Sequence, residues 1–370
     1  MGRLILVTLA LLLAACDPPP PPPDTIRVSD ALGGGDTTGF ARALTPRTFE
    51  FPADHGPHPG FRHEWWYITG NLDSADGRTL GYHLTFFRIA LAPDMADRAS
   101  RWGARQVWMG HLALTEVAAG RHTARERIAR EALGLAGGEA EGRRIWVEDW
   151  TLARHPDTGH WRIDAVTDAF ALHLDLMPLR APVLQGEDGL SQKGAAPGNA
   201  SYYYSLTRMA TSGHVETPGN RHDVTGLSWL DREWSTSALE PGQAGWDWLS
   251  LQLDDGTDIM YYRLRRSGGG MDPHSRGVHV DATGRRTDLM AEDVTLTPLE
   301  WWTSPRGERY PVAWEMTFGD VGPDLQVRAV LPDQLMDLSV RYWEGAVRVF
   351  DRTSGQQLGR GYLEMTGYDD

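Results

Sequence analysis

Over much of the chain, apolar and polar positions alternate with a period of two. Phe170-Ala171-Leu172-His173-Leu174-Asp175-Leu176 and Leu249-Ser250-Leu251-Gln252-Leu253 put a large apolar side chain at every second or nearly every second residue, the pattern of a strand with one face on a core. The same reading predicts strands over 80–89, 107–115, 144–152, 202–208, 259–264, 312–318, 325–330, 342–350 and 358–364. Between them fall Asp76-Gly77, Asp157-Thr158-Gly159, Asp255-Gly256, Ala282-Thr283-Gly284 and Thr353-Ser354-Gly355, where glycine supplies the positive φ that tight hairpins need. Arg and Glu spaced three to four apart over 123–133 predict one short helix on the rim. The expected class is all-β, with antiparallel strands spaced as in barrels or sandwiches. A chain of 370 residues exceeds one typical hydrophobic core, so two domains are expected. The composition shift around Pro241-Gly242 places the boundary near 236, dividing 46–236 from 237–370. The Gly- and Ala-rich segment 185–200 offers a second choice near 190.

The beginning of the chain reads differently. Arg3 gives a positive start, Leu4 to Ala14 an apolar run, and Leu13-Ala14-Ala15-Cys16 a small-residue cleavage site ending in cysteine. This is the pattern of an exported lipoprotein, with 1–15 removed and Cys16 acylated. The run is about eleven residues, short of the roughly twenty that cross a bilayer as a helix. Cys16 is the single cysteine of the chain, so no intramolecular disulfide is expected. Asp17 and the prolines Pro18 to Pro23 predict a stiff polyproline spacer, and residues up to 45 complete a flexible tether. The expected location is the periplasmic side of a bacterial membrane, held by lipid, with Asp17 favouring the inner membrane.

Charge and aromatic content narrow the partners. With 36 Lys plus Arg against 50 Asp plus Glu, the net charge of −14 argues against nucleic acid. Fifteen tryptophans and eleven tyrosines exceed what a core of this size needs and point to an aromatic-lined cavity. The densest chemistry lies in Phe61-Arg62-His63-Glu64-Trp65-Trp66-Tyr67 and Trp229-Leu230-Asp231-Arg232-Glu233-Trp234. In a strand, His63, Trp65 and Tyr67 share one face and Glu64 and Trp66 the other; Asp231 and Glu233 share one, Arg232 and Trp234 the other. Two acids on one face can lift one pKa and leave a proton donor at neutral pH, and electron-rich rings can stabilise a developing cation. Arg-carboxylate bridges and tryptophan packing that merely close barrel ends fit the same residues. A serine hydrolase is not supported, because Gly226-Leu227-Ser228 lacks the second glycine of a nucleophile elbow. His55, His58 and His63 are near one another, but Pro57 and Pro59 make the segment extended, so neither metal nor cofactor is expected.

Beyond those two clusters, Gly198-Asn199-Ala200-Ser201-Tyr202-Tyr203-Tyr204, Gly245-Trp246-Asp247-Trp248, Tyr342-Trp343-Glu344-Gly345 and Gly361-Tyr362-Leu363-Glu364-Met365 follow in order. Together these motifs resemble the AttH and carotenoid 1,2-hydratase family, from about Phe51 to Tyr368. The resemblance implies two consecutive lipocalin-like β-barrel domains. It also implies hydration or cyclisation of a lipophilic metabolite, although many bacterial members of the family are called secreted hydrolases without established chemistry. In carotenoid hydratases a histidine stands in the place of Arg232, followed farther on by a Tyr and Asp pair. Here Tyr261-Tyr262-Arg263 offers no matching aspartate, which argues against carotenoid itself. The candidate catalytic set is Asp231, Glu233, Arg232, Trp234, His63 and Glu64. The candidate ligand-binding set is Trp65, Trp66, Tyr67, Tyr202, Tyr203, Tyr204, Trp246, Trp248 and Tyr261. Two functions stay open: an acid catalyst acting on a lipophilic substrate, or a carrier of an apolar ligand serving a membrane complex such as an ABC-type exporter.

Overall fold

The computed structural model describes residues 26–27, 36–93, 103–237, 239–319 and 322–368. The lipoprotein signal and Cys16, the polyproline spacer and part of the tether lie outside these residues. Two barrel-like sheets make up the fold, one nearly closed and the other a half-barrel, and among the described residues all their pairings are antiparallel except that of Ile26–Arg27 with Val340–Asp351. No helix among the described residues is long and apolar enough to cross a membrane.

Both sheets are meanders whose first and last strands meet. In the 13-stranded sheet, His63–Ser74 runs through Thr79–Ala90 and Gln106–Glu116 to Arg121–Arg130 on one side, and its other neighbour is Asn220–Ser235, which closes the unit. In the 11-stranded sheet, Gln243–Leu253 lies between Asp258–Arg266 and the final strand Gln357–Met365. The chain passes from one sheet to the other between Ser235 and Gln243. The turns expected at Asp76-Gly77 and Asp255-Gly256 form, with Gly77 at φ +80 and Gly256 at φ +94.

Each sheet wraps one face around its own core. Trp66, Ile68, Leu72, Leu230 and Trp234 fill the first, and Leu249, Leu251, Tyr261, Trp343 and Leu363 the second. The opposite faces of the same strands are buried too, because the two sheets pack against each other through Tyr67, Tyr203, Trp229, Trp248, Tyr262 and Tyr362. The approach is tight at Gly81, where a Cβ would fall 2.7 Å from the Ala346 Cβ of the other sheet. Strands covered on both sides have no solvent-facing side, which is why His63–Ser74 carries aromatics at consecutive positions.

Two expected elements take another form. The residues over 123–133 are not a helix: Arg121–Arg130 is a strand paired with Gln106–Glu116, followed by a single 3-10 turn at Ala132–Gly134. The spacing of Arg and Glu suits a helix, but backbone pairing and a charged, solvent-facing edge decide the outcome, and Ala129 is the one buried residue of the strand. The single strand expected over 144–152 is a hairpin of Ile145–Val147 and Trp150–Arg154, turning at Glu148, whose φ is +57.

Candidate functional site

Strand parity decides what the two sequence clusters do. Glu64, Trp66, Arg232 and Trp234 point into the first barrel, where they form a polar plug. There Arg232 donates to Glu64 Oε2 at 2.9 Å, and Arg88 pairs with Oε1. His58 bridges Glu64 at 3.2 Å and Asp54 at 3.0 Å, and Arg47 reaches Asp54 at 3.0 Å. The Arg232 guanidinium lies 3.8 Å from the centroid of the Trp66 ring, and His58 stacks on Trp234 with ring centroids 3.7 Å apart. Burial opposes charge on Glu64, yet Arg88, His58 and Arg232 hold its carboxyl well below the usual carboxylate range. Glu64 is therefore an ionised structural carboxylate. Of the candidate catalytic set, Glu64, Arg232 and Trp234 sit on this inner face and none lines a ligand cavity.

The other parity faces the second sheet. His63, Trp65, Tyr67, Tyr203, Asp231 and Glu233 form one wall of a cavity of about 120 Å³, and Trp246, Trp248, Tyr262, Tyr342 and Glu364 form the opposite wall. Phe87, Met109 and Val340 complete an apolar side. Cross-strand pairing sets the geometry. Asp231 lies beside Tyr67 and Glu233 beside Trp65 in the first sheet, while Glu364 lies beside Trp248, itself beside Tyr262, in the second. Each wall thus presents an acid on its last strand next to an aromatic on its first. A wider depression of about 550 Å³, lined by Pro57, Trp108 and Trp146, contains none of these acids.

Asp231 is 3 % exposed and accepts hydrogen bonds from Tyr203, Ser205 and, at 2.7 Å, Trp229 Nε1. Three donors favour the ionised form, but burial outweighs them and, helped by Glu233, lifts the carboxyl to about 7. Burial likewise lifts Glu364 to about 7, against a hydrogen bond from Trp246 Nε1 at 3.0 Å. Behind it, Glu344 accepts from the Tyr67 hydroxyl at 2.7 Å and is pushed well above the carboxylate range by burial and by Glu364. Glu233 is paired with Lys193, whose ammonium burial would discharge but which Glu233 keeps protonated. His63 is the reverse case. Burial, then Arg62, Arg88 and Lys193, push it down to about 3, and neither ring nitrogen has a partner in the protein. A neutral imidazole in the wall offers one donor and one acceptor to a ligand.

The remaining aromatic candidates divide by the same rule. Trp65, Tyr67, Tyr203, Trp246 and Trp248 line the cavity. Trp66, Tyr202 and Tyr204 belong to the first barrel, where Tyr202 donates to the Thr45 carbonyl at 2.9 Å and Tyr204 shares a 2.6 Å hydrogen bond with His55. Tyr261 packs inside the second barrel, and its neighbour Tyr262 takes the wall position. Glu364, Lys193, Tyr262 and Tyr342 were not among the sequence candidates. A signal existed for Lys193, the single lysine of the chain, and for Glu364, which shares strand parity with Tyr362. Among the described residues, His173, His214 and Glu216 form a group with metal-ligating side chains, and none of them lines the cavity.

A double lipocalin-like fold with a cavity between its two sheets defines the class, and the comparisons give the family. Residues 42–368 match the family model described as AttH-like, and the chain belongs to that family. An AttH protein from Nitrosomonas europaea is 35% identical, with a TM-score of 0.80 over 89% of this chain and 100% of that one. Kievitone hydratase from Nectria haematococca shares the fold at 13% identity, with a TM-score of 0.67 over 90% and 98%. CghA does so at 12% identity, with a TM-score of 0.54 over 90% and 97%. No curated protein sequence matches the chain.

Proposed function

We propose that the protein takes a lipophilic small molecule into the cavity between its sheets and acts on it by acid catalysis, as a hydratase or cyclase does, with Asp231 as the proton donor. The observation that carries this reading is a carboxyl buried among aromatic rings and lifted to about 7, where it holds a proton at neutral pH and can still release it. Asp231 protonates a double bond or carbonyl, and the cation that develops faces the rings of Trp65, Tyr67 and Trp248. Glu364 is the second acid, and His63 binds a polar group of the ligand. Lys193, rather than Arg232, is the cation paired with Glu233. Apolar cavities of roughly 150 Å³ admit a benzene ring, so about 120 Å³ suits a ring or short segment of a larger molecule. The hydratase among the structural relatives supports the reading.

Mass spectrometry of molecules extracted from the purified protein should identify the ligand. Incubating protein and ligand in deuterated water should then add water or exchange a carbon-bound hydrogen. Recovery of the ligand unchanged would favour carriage to or from a membrane complex such as an ABC-type exporter. We further propose that the chain is exported and held at the periplasmic face of the membrane by acylated Cys16, with Asp17 favouring the inner membrane. Labelled palmitate should enter the wild type and not Cys16→Ser, and equal labelling would exclude this anchor.

A further inference from the structure

The cavity holds acids that can give protons, and a hydration or cyclisation also needs a group to take one away. Three side chains that the reading above leaves unused meet this need. Tyr342 lines the cavity from the second sheet, and its hydroxyl lies 2.7 Å from Nδ1 of His111. His111 stands on the outer face of Gln106–Glu116, wholly buried, and its Nε2 lies 3.0 Å from Oε1 of Glu126 on the neighbouring strand. Glu126 also accepts from the Ser339 hydroxyl at the edge of the second sheet and is the one member of the set that reaches solvent.

The hydrogen bonds have one consistent direction. Burial opposes charge on Glu126, but His111 and Ser339 hold its carboxyl below the usual range, so it is ionised and can only accept. His111 Nε2 must then carry the hydrogen, and Nδ1 is left as an acceptor for the Tyr342 hydroxyl. This order, carboxylate to imidazole to hydroxyl, is that of a hydroxyl primed to lose its proton. The other groups near it fit a neutral resting state. Burial keeps His111 uncharged, with His83 as the neighbouring histidine, while burial, Glu344 and Glu364 keep the Tyr342 hydroxyl protonated.

We propose that Tyr342, His111 and Glu126 form a proton-accepting relay in the cavity wall, the base that complements the Asp231 acid. The inference rests on the reading of the cavity as a reaction site. As a substrate O–H or C–H gives its proton to the Tyr342 oxygen, the tyrosine's own proton passes to His111 Nδ1. The bonding pair stays on the substrate, and the imidazolium is held by Glu126. Tyr342 is the catalytic residue, and His111 and Glu126 are positioning residues that act through it.

The probe is 5-nitrobenzisoxazole, whose ring opens when a base removes its C3 hydrogen. The C–H pair becomes the third bond of a nitrile, the N–O bond breaks with its pair going to oxygen, and the ring-opened product is a coloured cyanophenolate. The wild type should open it faster than buffer carboxylate does. Glu126→Gln and His111→Gln should each lower kcat about a hundredfold with KM nearly unchanged, and Glu126→Asp should restore part of the loss. Glu126→Gln, at a partly exposed position, guards against misfolding of the His111 variant. Nitrogen-15 spectra of labelled histidine should show His111 protonated at Nε2. Protonation at Nδ1, or full activity in Glu126→Gln and His111→Gln with loss in Asp231→Asn, overturns the relay. A probe that quenches the cavity tryptophans but is not opened also removes the relay alone. A probe that does not bind removes the reaction-site reading with it.

Discussion

Asp231→Asn is expected to lower turnover of the cavity's substrate by roughly two to four orders of magnitude, the usual contribution of a positioned general acid, while ligand binding is retained. Asparagine keeps the shape, its oxygen can still accept from Trp229 and Ser205, and its amide N–H can donate to the Tyr203 oxygen once that hydroxyl turns, so what is lost is the transferable proton. The same substitution changes stability with a definite sign. A carboxyl raised from 3.8 to about 7 by folding binds a proton more tightly in the folded chain. Its contribution is complete below about pH 4 and disappears as pH rises through 7. At 1.36 kcal/mol per unit, about 4 kcal/mol is the most that this group can remove from the wild type over that window. The Asn variant lacks this loss, so it should gain on the wild type between about pH 4 and pH 7 in denaturant titrations. Glu364 and Glu344 act in the same sense in both proteins. Parallel pH dependence of the two chains would mean that Asp231 is not held protonated by the fold.

Arg232→Met should cost about 3 to 5 kcal/mol, the penalty for leaving one partner of a buried ion pair behind. Arg88 remains beside Glu64 and places the effect toward the lower end. Because Arg232 lies on the inner face of the first barrel, ligand binding in the surviving folded protein should match the wild type. Adding Glu64→Gln should deepen the loss, since Arg88, wholly buried and paired with Glu64, then becomes the charge left without a partner. Urea midpoints of the two variants measure both effects. A cost below about 1 kcal/mol for Arg232→Met would show that the plug is not an energetic unit.

Much of this was legible in the chain. Alternation identified the strands and separated Asp231 and Glu233 from Arg232 and Trp234. It did not say which face meets a barrel core and which meets the other sheet. On strands buried from both sides each face carries aromatics, so Glu64 and Trp66 looked as suited to a ligand site as His63 and Trp65. The Tyr261-Tyr262 pair was ambiguous for the same reason, and only the pairing of Tyr262 with Trp248 resolves it. Glu364 and Lys193 were hidden by distance, because their approach to Asp231 depends on how two separate meanders dock. The Arg121–Arg130 strand misled because charged side chains on a solvent-facing edge carry no apolar period.

The division of the cavity between two sheets ties occupancy to cohesion. A molecule seated there touches residues on both sides of position 236 and acts as a rivet, so its affinity adds to the work of prising the halves apart. Loosening the clasp elsewhere along the seam would weaken the grip without altering any group that touches the ligand.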